Sequence, residues 1–234
     1  MTMSTAGRLG RPPVTSSVLA VGVAIGVLAL LAGSFVQRQL LAMATVGIVL
    51  FGLGARRYQQ DRDGISIGLR LGGGLIVAAA IWYISTVPAQ FTHRLELLPG
   101  VIGLWLFVGA LSVQRTRWRR QLIDLGVGVI FLSILVSGVL RGSSELVLVI
   151  SAAGLIVARD LAENAVSLGT QIGTGESTMT RPAELRHLGY SAVVAGGAVV
   201  AVLGVSRLGI EGVPFVGLVA LLVASVALVL VGYE

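Results

Sequence analysis

Apolar segments alternate with short polar segments along the whole chain. A bilayer core needs about 20 helical residues, or about 17 when flanking side chains reach the interface. The predicted spans are Val14–Val36, Leu40–Ala55, Ile67–Val87, Leu97–Val113, Leu122–Leu140, Glu145–Leu161, Leu188–Val205 and Val213–Tyr233. The second and sixth of them are short. The pattern predicts an all-α fold, a polytopic membrane helical bundle of about eight transmembrane helices in four hairpins.

The distribution of arginine predicts the topology. All 17 basic side chains are Arg, and successive polar segments hold two, one, four, one, four, one, three and one of them. Cytoplasmic loops retain an excess of Lys and Arg, so the rich segments are expected inside. The segments with a single arginine, at Arg38, Arg94, Arg141 and Arg207, are expected outside. Eight spans place both termini in the cytoplasm.

These spans divide the chain into four regions. The regions are a cytoplasmic N-terminal tail (1–13), a six-span membrane region (14–158), a cytoplasmic amphipathic loop (159–187) and a C-terminal transmembrane hairpin (188–234). The first span has an alternative interpretation, because Arg8 and Arg11 before an apolar run that ends at Ala32-Gly33-Ser34 are also typical of a cleaved signal peptide. Its full membrane length favours a retained span.

Composition supports a cell-membrane location. The chain is 55% hydrophobic and 12% charged, whereas soluble proteins carry about 25% charged residues. The net charge of +6 does not indicate a nucleic-acid partner, because the arginines are dispersed between apolar segments and suit an anionic bilayer surface. The absence of cysteine excludes disulfides, thiol chemistry and cysteine-based metal sites.

Candidate catalytic chemistry is sparse. Ionisable residues in the middle of spans usually mark transport or catalysis, and the predicted spans hold only serine and threonine there, such as Ser133 and Ser137. Three outer segments instead pair one Arg with one Glu, as Arg94/Glu96, Arg141/Glu145 and Arg207/Glu211. Exposed pairs of this kind contribute little stability. No zinc-protease, serine-hydrolase, intramembrane-aspartate or phosphate-loop motif occurs. We therefore expect no enzyme activity, no cofactor and no metal.

Glycines within the spans predict close helix packing, because small residues let helix backbones approach each other in lipid. The candidates are Gly22, Gly26, Gly72, Gly73, Gly74, Gly196 and Gly197. The GxxxG spacing of Gly22 and Gly26 leaves two alternatives open, a homo-oligomer face and packing within the bundle. Spans three, five and seven each begin with an ionisable residue, Leu and Gly, which suggests a repeated two-span unit.

An arginine-rich cluster lies before span five. It consists of Arg115, Arg117, Trp118, Arg119 and Arg120. Such a cluster can bind an anionic lipid headgroup, a phosphate or an acidic cytosolic partner. The simpler alternative is a topology anchor, with Trp118 in the aromatic belt of the interface.

The inner loop 159–187 is the most distinctive segment. Leu161, Ala165, Leu168 and Ile172 share one helical face, so span six is expected to continue beyond the membrane as an amphipathic helix. The candidate partner-docking residues are Asp160, Glu163, Asn164, Ser167, Gln171 and Glu184. The segment either docks a soluble protein or lies on the headgroups or caps the bundle. Its acidic face favours a protein partner, because an anionic membrane would repel it.

The same segment carries a family resemblance. Glu163-Asn164-Ala165-Val166-Ser167-Leu168-Gly169, followed by Gln171, Gly173, Arg181 and Ala183-Glu184-Leu185, resembles a family of uncharacterised haloarchaeal multi-pass membrane proteins. The resemblance covers residues 155–234, and the first half shares only its apolar hairpins. It implies no established activity. The genes of that family lie beside those for a MoxR-type AAA ATPase, which implies a role in assembling or maturing envelope complexes.

Two functional hypotheses follow. The leading one is a non-catalytic scaffold or accessory component that contacts a cytoplasmic partner, in addition to the lipid bilayer. The alternative is a small-molecule or lipid transporter or channel that lacks buried charge. A helix broken in mid-membrane and a polar cavity would favour transport, and a solid, glycine-packed core would favour the scaffold.

Overall fold

The computed structural model describes residues 14–60, 63–86, 91–112, 116–171 and 181–207. Within these ranges the chain forms seven α-helices and no strand, which confirms the all-α class. The helices are α1 (Val14–Leu31), α2 (Phe35–Gln60), α3 (Gly64–Thr86), α4 (Phe91–Ser112), α5 (Thr116–Arg141), α6 (Glu145–Gln171) and α7 (Arg181–Arg207). The predicted tail 1–13 and the eighth span, Val213–Tyr233, lie outside the described residues.

Four helical stretches of the described chain are long and apolar enough to cross a membrane. They are Phe35–Tyr58, Gly64–Thr86, His93–Ser112 and Trp118–Arg141. Shorter apolar stretches lie in α1 (Thr15–Leu31) and α7 (Leu188–Gly204). α6 carries charges at Arg159, Asp160 and Glu163, in its second half. The described residues therefore support a helical membrane protein with four clear spans, and they do not support a count of eight.

The predicted C-terminal boundary of the first span, Val36, is wrong. α1 ends at Leu31 and α2 begins at Phe35, because Ser34 starts a new helix. Ser34 Oγ accepts from the Gln37 backbone N–H at 3.2 Å, and Gln37 Oε1 accepts from the Ser34 N–H at 3.0 Å. This reciprocal pair is a capping box. The second predicted span, which is short in sequence, consequently lies within the 26-residue α2.

α1 to α6 run alternately up and down, so that their polar ends gather at two ends of the bundle. At one end, Glu96 on α4 contacts Gln37 at the start of α2 and Arg141 at the end of α5. At the other end, Asp124 on α5 pairs with Arg159 on α6. We name these the Glu96 end and the Asp124 end.

The arginines separate between these two ends. Arg38, Arg94 and Arg141 lie at the Glu96 end. The larger group lies at the Asp124 end and includes Arg56, Arg57, Arg70, Arg119, Arg120, Arg159 and Arg186. The alternation of rich and poor segments along the sequence thus corresponds to the two ends of one bundle.

The closest helix pairs are α2 with α3, α4 with α5, and α1 with α6. Eight spans in four successive hairpins would pair α1 with α2 and α3 with α4. The structure differs, because its two closely packed sequential hairpins close at the Asp124 end. The third close pair joins helices that are far apart in sequence.

Glycine explains the pairing. A Cβ on Gly47 would lie 2.9 Å from the Gly73 carbonyl oxygen, and a Cβ on Gly103 would lie 2.7 Å from the Gly126 carbonyl oxygen. The helix backbones are therefore in direct contact at these two crossings, which only residues without a side chain permit. Both crossings use the sequence Gly-x-x-Leu-Phe, and the backbone of the phenylalanine lies against the partner glycine. The α2–α3 hairpin and the α4–α5 hairpin thus repeat one contact.

Candidate functional site

Glu96 is the most deeply buried acidic side chain of the described chain, at 5% exposure on α4. Gln37 Nε2 donates to Glu96 Oε2 at 3.0 Å, and Arg141 Nη1 lies 3.0 Å from Glu96 Oε1. A carboxylate removed from water persists only when it is paired and hydrogen-bonded. The three side chains come from α2, α4 and α5, so the cluster joins elements that are distant in sequence.

Arg141 connects this cluster to the turn between α1 and α2. Its Nη1 donates to the Leu31 carbonyl oxygen at 2.5 Å, and its Nε donates to Ser143 Oγ at 3.1 Å. A Cβ on Gly33 would lie 2.5 Å from Arg141 Nη1, so the guanidinium packs directly against this glycine and would have to shift for a larger residue. Glu96 Oε1 forms an ion pair with Arg141 at 3.0 Å but no hydrogen bond. We name Gln37, Glu96 and Arg141 the buried triad.

The expected pairing of charges within each outer segment is wrong for Glu96. Its partner is Arg141 of a different segment, whereas Arg94 Nη1 donates to the Ser85 carbonyl oxygen at 3.0 Å. Glu96 also lies one residue before the predicted span Leu97–Val113, whereas in the structure it belongs to the apolar stretch His93–Ser112. The capping pair Ser34-x-x-Gln37 was visible in the sequence, but no pattern along the chain showed which charge would lie beside Glu96.

The cluster at the Asp124 end is more exposed. Arg159 Nη2 lies 2.9 Å from Asp124 Oδ1 and 2.8 Å from Glu163 Oε1. The Arg159 and Asp124 side chains are 46% and 52% exposed, so this ion pair is worth only about 0.2–1 kcal/mol. Asp160 accepts a hydrogen bond from the Ser191 hydroxyl. These contacts tie α6 to α5 and α7.

The candidate docking residues are therefore partly engaged within the molecule. Glu163 is paired with Arg159 and Asp160 with Ser191. Asn164 and Ser167 are half-buried. The side chains of Gln171 and Glu184 lie outside the described residues. A freely exposed acidic face, as the sequence suggested, is thus not what the described part of this segment presents.

The amphipathic continuation of α6 packs inside the protein. α6 is one helix of 27 residues, about 40 Å long. Leu161 and Ala165 of the predicted stripe are fully buried, and Leu168 is half-buried. α6 packs closely against α1 and also contacts α5 and α7. Of the alternatives left by the sequence, the described residues show a helix that packs on the bundle.

The arginine-rich cluster before span five is divided by its helix. Trp118 is 59% exposed and Arg120 is also exposed, whereas Arg119 is buried at 3%. Successive helical residues point about 100° apart, so three in a row cannot all face the lipid. Arg119 is therefore a poor candidate for a headgroup contact. The side chains of Arg115 and Arg117 lie outside the described residues.

The predicted packing glycines have different environments. Gly73 packs against α2, whereas a Cβ on Gly72 or Gly74 would meet nothing within 4 Å. A Cβ on Gly22 or Gly26 would also meet nothing among the described residues, so neither glycine packs against a described helix. Gly196 and Gly197 are open in the same way. The glycines that do make the tight crossings, Gly47, Gly103 and Gly126, were not selected from the sequence.

The described residues contain no group of three or more His, Asp or Glu side chains that could hold a metal ion.

Comparison with known proteins gives one match. A model described as a family of unknown function (DUF7519) matches residues 72–229, which is more than half of the chain. The match begins well before residue 155, where the resemblance seen in the sequence becomes strong. No curated protein and no solved structure matches the chain.

Proposed function

This chain belongs to the DUF7519 family of unknown function, and from that premise we propose that it is a non-catalytic membrane scaffold or accessory component that holds a cytoplasmic protein partner. The observation that carries this proposal is the direct backbone contact at Gly47/Gly73 and Gly103/Gly126. Helices in such contact leave little freedom to slide or separate. A rigid bundle suits a component that positions other proteins.

The packing of the remaining helices supports the same function. α2, α3, α4 and α5 are each continuous over more than 20 residues. A helix broken in mid-membrane, which is typical of many transporter binding sites, does not occur among them. Large apolar side chains such as Leu28, Leu104 and Phe107 fill the centre of the bundle.

We propose that the Asp124 end faces the cytoplasm and that all eight apolar segments cross the cell membrane, with both termini inside. The arginine-rich loops at this end support that orientation. α1 supports the count, because its 18 residues span about 27 Å, close to the thickness of the hydrocarbon core. α6 lies beside α1 over most of this length.

The partner would bind at the end of α6 that carries Glu163, Asn164 and Gln171. The family resemblance, with its haloarchaeal source and C-terminal motif, supports a MoxR-type AAA ATPase as that partner. Because Glu163 is paired with Arg159, a substitution at Glu163 alters both the surface and an intramolecular ion pair. Any test must separate these two effects.

The experiment is affinity purification from native membranes of a variant with Glu163, Asn164 and Gln171 changed to Ala. Capture of an AAA ATPase is expected to fall by about tenfold or more, equivalent to about 1.4 kcal/mol, at an unchanged membrane level. Arg159→Ala is the control, since it breaks the ion pair with Glu163, together with the one to Asp124, and leaves the three docking side chains in place. Unchanged capture by the triple variant, or equal loss in both variants, would refute docking at these side chains.

A second candidate function is favoured by the buried triad. An ionisable group within a membrane span often marks a path for a substrate or ion, and Glu96 is such a group. Under this alternative the chain transports a small molecule, and Glu96→Gln would abolish uptake into proteoliposomes while the protein stays folded. Intact uptake by this variant would leave the scaffold as the better proposal.

A further inference from the structure

Arg70 on α3 lies against two aromatic rings of α2. Its guanidinium carbon is 5.8 Å from the centroid of the Phe51 ring and 5.1 Å from that of the Tyr58 ring, within the range of about 6 Å in which a cation is attracted to an aromatic face. Phe51 and Tyr58 are two turns apart on one face of α2. The guanidinium is therefore held between the two rings.

Close packing of the two helix backbones fixes the level of this contact. A Cβ on Gly54 would lie 2.6 Å from the Arg70 backbone nitrogen and 2.9 Å from Arg70 Cγ. The α3 backbone at Arg70 thus rests directly on α2, and the stem of the arginine side chain runs along the α2 surface. An arginine that only reaches toward water from a helix surface is not constrained in this way. The fold therefore sets the position of this charge.

The hydrogen-bonding capacity of Arg70 is unused within the described part of the chain. A guanidinium carries five N–H donors in a planar fork, and Arg70 forms no hydrogen bond or ion pair with the described residues. Asp63, which lies just before α3, is exposed and forms no ion pair with them either. Arg70 is half-buried, and its nitrogen atoms reach the protein surface. A cation that is fixed in place with free donors is suited to bind an anion.

The depth of Arg70 in the bundle corresponds to lipid headgroups. α3 begins at Gly64, and Arg70 follows about 9 Å further along the helix axis, close to the boundary between headgroups and hydrocarbon. Side chains of a helix lean toward its N-terminus, so the guanidinium leans toward the headgroups of the Asp124 end. One turn deeper on the same face, a Cβ on Gly74 would meet nothing within 4 Å. The surface below Arg70 is therefore open for an acyl chain.

We propose that Arg70, positioned by Phe51 and Tyr58, binds the phosphate of an anionic phospholipid at the α2–α3 crossing of the Asp124 end. A guanidinium fork matches two oxygens of a phosphate group at once. A lipid suits the position better than a soluble phosphate, because Arg70 belongs to the apolar stretch Gly64–Thr86. This site is separate from the arginine-rich cluster before span five and does not depend on the scaffold function.

Lipid binding to the purified full-length protein tests the site. The protein is titrated in detergent with phosphatidylglycerol, with phosphatidylcholine as competitor, and bound lipids are counted by native mass spectrometry. We expect the wild type to prefer phosphatidylglycerol by about tenfold or more. Arg70→Gln removes two charge-assisted hydrogen bonds and is expected to bind this lipid about 30-fold more weakly. Arg70→Lys keeps the charge but loses the planar fork, so about tenfold weaker binding is expected.

Control variants separate this site from the general effect of charge. Arg120→Gln removes the same charge from an exposed position at the same end of the bundle, and binding is expected to weaken by less than about fivefold. Equal losses in Arg70→Gln and Arg120→Gln, or unchanged binding by Arg70→Lys, would overturn the proposal, because net charge alone would then hold the lipid.

The role of the aromatic rings is tested at Tyr58. Tyr58→Leu removes the closer ring, and a loss of about two- to fivefold in lipid binding is expected. Tyr58→Phe removes only the hydroxyl group and is expected to bind like the wild type. Equal binding by Tyr58→Leu and Tyr58→Phe would overturn the positioning of Arg70 by this ring.

Inorganic phosphate distinguishes a lipid headgroup from a soluble ligand. In millimolar excess it is expected to leave the bound lipid in place, and displacement would overturn the lipid site. Thermal unfolding covers the case in which Arg70→Gln does not fold. Phosphatidylglycerol, compared with phosphatidylcholine, is expected to raise the Tm of the wild type more than that of Arg70→Lys. Equal shifts in these two proteins would also overturn the proposal.

Discussion

At the scale of single residues, burial decides which charged pairs matter. The Glu96–Arg141 pair and the Asp124–Arg159 pair have nearly equal distances, 3.0 and 2.9 Å. Glu96 is 5% exposed and Arg141 28%, whereas both side chains of the other pair are about half exposed. Water screens the exposed pair and cannot replace the partner of buried Glu96. The two pairs therefore have similar distances, but the loss of a partner is expected to cost more stability at the buried pair.

Removing one member of the buried pair is expected to be costly. Arg141→Ala leaves the Glu96 carboxylate buried without its counter-charge, which for a fully buried pair costs about 3–5 kcal/mol, and the exposure of Arg141 places the value toward the lower limit. Arg159→Ala is the control, with a loss of about 0.2–1 kcal/mol. Reversible unfolding in mixed micelles measures both. Equal losses in the two variants would contradict the importance of burial at Glu96.

At the scale of helices, a glycine contributes to packing only where it faces the adjacent helix. Gly72, Gly73 and Gly74 are consecutive on α3, and only Gly73 faces α2, where a Cβ would lie 2.6 Å from the Gly47 carbonyl oxygen. The other two would accept a methyl group without any contact. Substitutions at these three neighbouring glycines therefore separate the effect of the α2–α3 contact from the effect of helix propensity.

Gly73→Ala is expected to destabilise the bundle by about 1–3 kcal/mol, since a methyl group at this crossing forces two backbones apart. Gly72→Ala and Gly74→Ala are expected to lie within about 1 kcal/mol of the parent, because alanine is the better helix former and nothing obstructs it. Thermal unfolding of the three variants in one lipid mixture gives the comparison. A loss at Gly74 as large as at Gly73 would mean that the α2–α3 crossing is not the close contact described here.

At the scale of the whole molecule, the bundle is polarised. Its Asp124 end carries most of the described arginines, and its Glu96 end carries the buried triad. The orientation proposed above places these ends on opposite sides of the membrane. Both ends offer an exposed position for a probe, Asp63 between α2 and α3 and Ser144 between α5 and α6.

Asp63→Cys and Ser144→Cys are expected to react from opposite sides of the membrane, because one position follows α2 and the other follows α5 at the opposite end. An impermeant thiol reagent added to intact cells should label Ser144→Cys, and labelling of Asp63→Cys should require permeabilised cells. Reaction of both positions from the same side would contradict the bundle. The reverse pattern would contradict only the orientation.

Some features of this fold can be predicted from the sequence and others cannot, and the reasons are physical. Spans three to five were located closely, because hydropathy is a local property of each segment. The short second span was longer in the structure, since the Ser34–Gln37 capping box starts α2 before its apolar core. The partners of Glu96 were missed, because Gln37 and Arg141 are 59 and 45 positions away.

Hydropathy and charge along the chain are enough to predict that this protein is helical, that several of its helices are apolar enough for a membrane, and that arginine-rich and arginine-poor segments alternate. These properties follow from the hydropathy and charge of successive residues. The tertiary structure alone decided that α2 pairs with α3, that α1 pairs with α6, and that Glu96 is buried beside Arg141. Two helices pair where both of their surfaces let the backbones come into contact. This depends on two segments at once, so it cannot be predicted from the hydropathy or charge of either segment alone.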